Sequence, residues 1–169
     1  MAVAKDSEIQ KELDTNKKLR RVYYFFGPEQ FKLREFTNKI QAKLGDSIAR
    51  DLFYGDDFDF SEFSAACENL SLFDSGKLLI VRNADAIPAR FWERIPDVLS
   101  ATLETTTIIF QGEALDGRKK HSQAMSKAKD GIVVVRCEFV DERDFCVWAR
   151  ELAGRRKKKI TVPAMQMLW

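Results

Sequence analysis

Short apolar runs alternate with amphipathic segments along most of the chain. Five runs are rich in β-branched and aromatic residues without polar alternation, a pattern typical of parallel strands that are covered on both faces. The predicted strands span residues 21–27, 51–55, 77–82, 106–112 and 132–137. Their starts lie 26 to 30 residues apart, which leaves room for one helix and two turns per unit. The pattern therefore predicts an α/β fold with a five-stranded parallel sheet and flanking helices.

Helix boundaries are predicted from caps, prolines and glycines. Pro28 suits the first turn of a helix whose apolar stripe continues until Gly45. Asp59 is predicted to cap the next helix, with Glu62 three residues later in a capping-box position. A further helix is predicted to open near residue 88 and to be split at Pro96. Others are predicted over 118–129, over 141–153 with Gly154 closing the helix, and from 162 onward. The polar stretch before residue 20 predicts either a short helix at the edge of the domain or a disordered tail.

Composition excludes several classes of protein. The chain has 169 residues, of which 45% are hydrophobic, enough for about one domain with a real core. Its apolar runs are far shorter than a membrane span and its start lacks a signal peptide, so we expect a cytoplasmic protein with no membrane contact. Three scattered cysteines and one histidine argue against a zinc site and against a disulfide framework. The net charge of only +2 gives no overall positive field that would indicate nucleic-acid binding. We expect no cofactor and no catalytic set.

The turn after the first predicted strand invites comparison with a phosphate-binding loop. Such a loop needs two glycines and a Lys-Ser or Lys-Thr pair, so that backbone amides and a lysine hold the phosphates. Residues 27–33 have the sequence GPEQFKL, which lacks the second glycine and the Lys-Ser/Thr pair. Pro28 removes a donor and Glu29 places an anion where a phosphate would bind. Arg82 and Asn83 likewise follow the third strand, where a hydrolysing enzyme carries acidic residues for Mg²⁺. The sequence therefore argues against nucleotide binding.

Charged clusters are weaker candidates for function. Asp56, Asp57 and Asp59 could hold a cation, but a turn with a solvated acidic face is the favoured interpretation. His121 lies in a polar stretch and is expected to be an exposed imidazole. Two basic runs without interleaved aromatics are expected to be solvated, and they are kept as possible contacts to DNA or a partner through Arg118, Lys119, Lys120, Arg155, Arg156 and Lys157.

One segment carries more large apolar residues than a helix end needs. Leu70 completes the apolar stripe of the helix that Asp59 starts, and Leu72 and Phe73 follow in a polar setting before Asp74. All three side chains do not fit comfortably on one core face if the helix ends there. Exposed Leu and Phe side chains beside a helix end suit the hydrophobic pocket of a partner. Composition alone still favours packing in the core.

Four motifs in order give the chain a family resemblance. They are YFFGPEQF at 24–31, LSLF at 70–73, KLLIVRNA at 77–84 and LDGRKK at 115–120. This series resembles the delta subunit family of the bacterial DNA polymerase III clamp loader, over roughly residues 8 to 169. The resemblance implies an AAA+/P-loop-like (RecA-type) domain over 1–140 without a working nucleotide site. It also implies that residues 141–169 begin a small helical lid domain, with the collar domain absent from this sequence.

The same resemblance implies a function in DNA replication. The chain is expected to bind the β sliding clamp through Leu70, Leu72 and Phe73 and to favour the open ring, while sister subunits hydrolyse ATP. In the full-length protein the implied partners are the gamma/tau and delta prime subunits, with DNA contacted through the assembled complex. Membership of the DNA-directed DNA polymerase holoenzyme is implied for the complex, not catalysis by this chain. The alternatives are a DNA-binding module and a degenerate P-loop NTPase.

Overall fold

The structure, a computed structural model, describes residues 3–15, 18–69, 74–115, 123, 132–139 and 141–168. These residues divide into two compact units, Met1–Cys137 and Glu138–Trp169, which are described separately below.

A parallel sheet forms the centre of the first unit. Its strands are β1 (Val3–Lys5), β2 (Val22–Phe26), β3 (Ala49–Tyr54), β4 (Lys77–Arg82), β5 (Thr106–Gly112) and β6 (Ile132–Arg136). The spatial order is β1-β6-β2-β5-β4-β3, and every neighbouring pair is parallel. The predicted α/β class is confirmed, and β4 and β5 have the bounds that the sequence predicts. The sheet has six strands rather than five, because β1 was not predicted.

Helices connect and cover the strands. In the first unit they are α1 (Asp6–Asp14), α2 (Gln30–Leu44), α3 (Phe60–Glu68), α4 (Ala89–Trp92) and α5 (Ile95–Ala101). Asp59 caps α3 as predicted, because its Oδ1 accepts hydrogen bonds from the amides of Ser61 and Glu62 at 2.7 and 3.0 Å. The split near Pro96 is present between α4 and α5. Pro28 does not begin α2, since the cap of that helix is Glu29.

Two apolar cores lie on the two faces of the sheet. All five residues of β2 are buried, and successive side chains of a strand point to opposite faces. Tyr24 and Phe26 belong to one core with Phe63 and Phe110, whereas Phe25 belongs to the other core. Ring pairs such as Tyr24 with Phe110, whose centroids are 6.3 Å apart, add to the packing of the first core.

The two edges of the sheet differ from the pattern that the sequence predicts. The stretch before residue 20 contains β1 and then the helix α1, whose Ile9 and Leu13 are buried in the second core. The helix is thus the alternative that the structure shows. At the other edge, β3 alternates between exposed and covered residues, and Leu52 is 47% exposed. An edge strand has a neighbour on one side, so continuous burial is not required there.

The second unit contains two helices, α6 (Glu142–Arg155) and α7 (Val162–Leu168). Gly154 was predicted to close α6, but the helix continues through it. The closing residue is Lys157, which has a left-handed φ of 56°. Met165 of α7 is fully buried. In the part of the chain that the structure describes, no helix combines the length and the apolar character needed to cross a bilayer.

The three cysteines differ in burial, which generates a test of the fold. Cys67 and Cys137 are fully buried, and burial raises the pKa of each thiol to about 12 from an ordinary value of 9.0. Cys146 is partly exposed. Since the thiolate is the reactive species, we expect an aromatic disulfide reagent at neutral pH to label Cys146 rapidly and the other two only after denaturation. Absorbance of the released thiol measures this.

The control is Cys146→Ser, which should lose the rapid phase alone. Rapid labelling of more than one thiol in the native protein would contradict the two-core packing.

The raised pKa values of the two buried thiols also determine how the stability of the protein depends on pH. The contribution of the buried thiols to stability is complete below their ordinary pKa and declines as the pH rises from about 9 to 12, because the unfolded chain releases these protons first.

Candidate functional site

The turn between β2 and α2 lies where a P-loop protein holds phosphate. Gly27 has a φ of 130°, and a Cβ at this position would lie 2.3 Å from the carbonyl oxygen of Cys137. Glycine is therefore required here by both backbone conformation and space. The close approach fixes the turn against the end of β6, where the amide of Cys137 donates to the carbonyl of Phe26 at 2.7 Å.

The amides of this turn are already used by the protein itself. The amide of Glu29 donates to the carbonyl of Cys137 at 3.4 Å, and that of Gln30 to the carbonyl of Pro28 at 3.1 Å. The amide of Phe31 donates to Oε1 of Glu29 at 3.1 Å. Pro28 has no amide hydrogen. Residues 28–31 therefore offer no backbone donor to a phosphate in this conformation.

Glu29 also supplies the negative charge that a phosphate would otherwise bring. The N-terminus of a helix carries a partial positive charge and attracts anions. In α2 the first turn contains no acidic residue, and the carboxylate of Glu29 caps it from outside. The sequence predicted that Glu29 would repel a phosphate. The structure adds that its carboxylate takes the place at the helix end.

A polar groove of about 590 Å³ adjoins this turn at the edge where the strands end. It is lined by residues of α2 and of the ends of β4 and β5, among them Arg34, Arg82, Asn83 and Glu113. Asn83 has a left-handed φ of 51°, and its side-chain amide donates to Oδ2 of Asp56 at 2.7 Å. Among the residues that the structure describes, no group of three or more acidic, histidine or cysteine side chains could hold a metal ion. Asp56 and Asp59 serve a turn and a helix cap.

Asp85 ties three elements together at the same edge, and the sequence did not single it out. Its Oδ1 accepts a hydrogen bond from the hydroxyl of the buried Tyr24 at 3.1 Å, and its Oδ2 accepts from the amide of Glu113 at 2.8 Å. Burial raises the pKa of Tyr24, and the neighbouring Asp85 raises it further. The hydroxyl therefore stays protonated and can donate. Its partners lie 61 and 28 residues away, so only the folded sheet reveals the cluster.

Arg21 performs a similar role at the opposite edge, where the strands begin. Its Nη2 donates to the carbonyls of Leu99 and Thr102 at 2.9 and 2.8 Å, at the end of α5. A cation at a helix C-terminus is favourable because unpaired carbonyls carry a partial negative charge there. The backbone carbonyl of Cys67, at the end of α3, accepts from the amide of Leu103 at 3.5 Å. The ends of α3 and α5 and the start of β2 are thus joined.

The predicted clamp-binding residues Leu70, Leu72 and Phe73 lie outside the described residues. The residues on both sides of them are described. Asn69 closes α3 with its backbone and side-chain amides, which lie 3.0 and 2.8 Å from the carbonyl of Ala65. Ser75 binds the carbonyl of Ser47 through its amide at 3.1 Å and its hydroxyl at 2.8 Å. Both flanks of the segment are therefore anchored to the first unit.

The basic runs fall in two different parts of the chain. Arg118, Lys119 and Lys120 lie outside the described residues, as does His121. The other candidates, Arg155, Arg156 and Lys157, are exposed at the end of α6.

Comparisons with known proteins agree with this geometry. A family model described as DNA polymerase III, delta subunit, matches residues 23–138, more than half of the chain. Among curated proteins none matches the sequence. The fold resembles the Bacillus subtilis DNA clamp loader delta protein (YqeN), with a TM-score of 0.67 and 18% identity over 96% of this chain and 51% of that one. The chain thus spans about half the length of that protein.

Two further solved structures share the fold at lower similarity. Thermotoga maritima RuvB has a TM-score of 0.54 and 12% identity, over 94% of this chain and 51% of that one. Domain III of the Thermotoga maritima replication initiation protein DnaA has a TM-score of 0.56 and 10% identity, over 96% of this chain and 72% of that one. The predicted AAA+/P-loop-like fold is confirmed by these neighbours.

The amide pattern of the turn generates a test with Glu29→Ala. We expect the variant to lose about 1 kcal/mol of unfolding free energy, because the amide of Phe31 loses its acceptor and the helix loses its anion. It should still fail to bind a fluorescent ATP analogue, since Pro28 and the partners of the Glu29 and Gln30 amides are unchanged. Denaturant unfolding and fluorescence titration measure the two effects.

Asn38→Ala is the matched control, because Asn38 is an exposed residue within the same helix and alanine favours helix formation there. Its stability should be unchanged or higher. Saturable binding of the analogue by the wild-type protein would contradict our assignment of an inactive phosphate loop.

Proposed function

The chain belongs to the DNA polymerase III delta subunit family, and from this we propose that it binds the β sliding clamp and favours the open ring for loading onto primed DNA. The contact residues would be Leu70, Leu72 and Phe73. ATP would be hydrolysed by sister subunits, the gamma/tau and delta prime subunits being the partners of the full-length protein. In this proposal, residues 1–140 are the clamp-binding domain and residues 141–169 begin the lid domain.

The observation that carries the proposal is the anchoring, at one edge of the sheet, of the residues that flank the LSLF sequence. Helix α3 connects the end of β3 to the start of β4, so its C-terminus lies at the edge where the parallel strands begin. Asn69 and Ser75 fix the chain on either side of residues 70–73. The described flanks of a sequence with three large apolar residues are thus held by hydrogen bonds at this edge, which supports a partner contact there.

The part of α3 that precedes this segment is firmly packed in the first core. Phe63 and Cys67 of α3 are fully buried in the first core, and the Cys67 carbonyl is bonded to the amide of Leu103. Arg21 then joins the end of α5 to the start of β2. A contact made by residues next to a rigid base costs little ordering on binding, so more of the interaction energy remains to favour one form of the ring. A mobile base would have to be ordered first, at a cost in affinity.

The mechanism needs only a difference in affinity. A protein shifts a closed ring toward the open form by no more than the ratio of its affinities for the two forms. A knob of Leu and Phe side chains that fits beside an opened interface supplies such a ratio without hydrolysis. The inactive phosphate loop lies at the opposite edge of the sheet, so its loss leaves this function untouched.

The first test is truncation of the apolar side chains. Leu72→Ala and Phe73→Ala should each weaken binding of the cognate clamp by about 2 kcal/mol, or about 30-fold in Kd, because each side chain would fill a pocket on the clamp. The melting temperature should change little. Surface plasmon resonance and calorimetry measure the two quantities on the same preparations.

Leu52→Ala is the control, since Leu52 is an exposed leucine on the edge strand β3. Its clamp affinity should equal that of the wild type. If Leu72→Ala and Phe73→Ala instead unfold the domain while the folded fraction keeps its affinity, both residues belong to the core and the proposed contact is wrong.

The second test asks whether the chain prefers an opened interface. We expect tighter binding to a clamp variant whose subunit interface has been weakened by mutation than to the intact ring, because closure competes with binding only in the intact ring. The ratio of the two Kd values gives a lower limit for the shift that the chain can produce, because the intact ring also binds through its open fraction. Equal affinity for both clamps would mean that the chain binds the clamp but does not favour its open form.

A further inference from the structure

Five consecutive basic residues lie at and just beyond the C-terminus of helix α6 in the second unit. Between positions 150 and 160, six of the eleven side chains are basic and one is acidic. All five residues from Arg155 to Lys159 are exposed. We call these five residues the basic turn. Neither the predicted clamp contact nor the inactive phosphate loop uses it.

The backbone of the basic turn closes the helix without help from its side chains. The amide of Lys158 donates to the carbonyl of Ala153 at 2.8 Å, and that of Lys157 to the carbonyl of Gly154 at 2.9 Å. With Lys157 at a φ of 56°, this is the Schellman arrangement, in which backbone amides satisfy the last carbonyls. The lysine side chains are therefore not needed as partners for the helix end.

For the stability of the turn alone, glycine would be a better residue than Lys157 at the left-handed position. A lysine there carries a steric cost that glycine avoids. Arg155 lies 3.9 Å from the carboxylate of Glu151. For Arg156, Lys157, Lys158 and Lys159, the described part of the chain contains no ion pair. The positive charge is thus concentrated and largely uncompensated.

We propose that the basic turn binds the phosphate backbone of double-stranded DNA. Cations that neutralise phosphates release counterions, and arginine in addition matches phosphate oxygens with two parallel donors. The turn has no aromatic residue on which an unpaired base could stack, so contact with a duplex backbone is favoured over contact with single strands. No apolar residue interrupts the five cations, unlike the mixed face that a lipid surface favours. The inference rests on the proposed function, which brings the chain to primed DNA.

Salt dependence of duplex binding by the whole chain is the first measurement. Fluorescence anisotropy with a labelled random-sequence duplex should give a Kd of roughly 10⁻⁴ to 10⁻⁶ M at physiological salt, the range of non-specific contacts, and tighter binding in low salt. If the four cations from Arg156 to Lys159 contact phosphates, the plot of log K against log salt should have a slope of about −3.6. The triple variant Arg156→Gln, Lys158→Gln, Lys159→Gln should reduce the slope to about −0.9.

Lys157→Gly separates contact from folding, because the two predicted effects have opposite signs. Glycine relieves the left-handed strain, so the melting temperature should rise or stay equal. Loss of the charge should weaken duplex binding about tenfold in low salt and reduce the magnitude of the slope by about 1. Lys11→Gln, which removes one exposed charge from α1, is the matched control and should leave the slope unchanged.

The outcomes separate this inference from the proposed function. Clamp affinity should be unchanged in Lys157→Gly, and duplex affinity unchanged in Phe73→Ala. Clamp binding with no measurable duplex binding, or duplex binding that Lys157→Gly and the triple variant do not alter, would overturn the inference alone. Binding of the wild type to phosphatidylserine vesicles or polyglutamate as tightly as to the duplex, at equal salt, would also overturn it, because the turn would then attract anions without preferring DNA.

Discussion

The structure of the first unit depends on the burial of strand β2 on both faces. Its five residues are all buried, and the strand pairs in parallel with β5 on one side and β6 on the other. Its side chains contribute to both apolar cores, so the strand cannot slip by one residue without exchanging its core partners. The strand also has a residue with a structural role at each of its ends. Arg21 precedes the strand at the edge where strands begin, and Gly27 follows it at the edge where they end.

The crowding at the end of β2 gives a physical reason for the expectation that this turn does not bind phosphate. Gly27 lies so close to Cys137 that the chain must turn there, and the next amides donate to acceptors of the protein, at Cys137, Pro28 and Glu29. In a P-loop protein the equivalent amides and helix end remain available, and the ligand completes their hydrogen bonding. Here Glu29 completes α2, so the helix is capped without a ligand. The end of α2 therefore needs no bound phosphate to satisfy the amide of Phe31.

Most of the fold could be predicted from the sequence because buried strands and capped helices have local patterns. The apolar run at 77–82 and the cap at Asp59 each depend on neighbouring residues, and both are observed. Strand β1 has three residues, none of them fully buried, and its partner lies more than a hundred residues away, so no local pattern could reveal it. The roles of Asp85 and Arg21 could not be predicted either, because their hydrogen-bond partners are also distant in the sequence. At Lys157 the pattern misled, because Gly154 was the better local candidate for the end of the helix.

In an active AAA+ protein, phosphate binding at one edge of the sheet can change the arrangement at the other. Here hydrogen bonds within the protein connect the edge at which the strands end, with Asp85 joining Tyr24 to the amide of Glu113. If the chain binds the clamp as we propose, a frame that does not change with nucleotide would offer the ring the same surface at every stage. The affinity difference between open and closed clamp would then be constant, and the timing of loading would have to come from another component. Since a fixed difference biases an equilibrium but cannot reverse it, release of a closed ring would require a component that competes for the proposed contact.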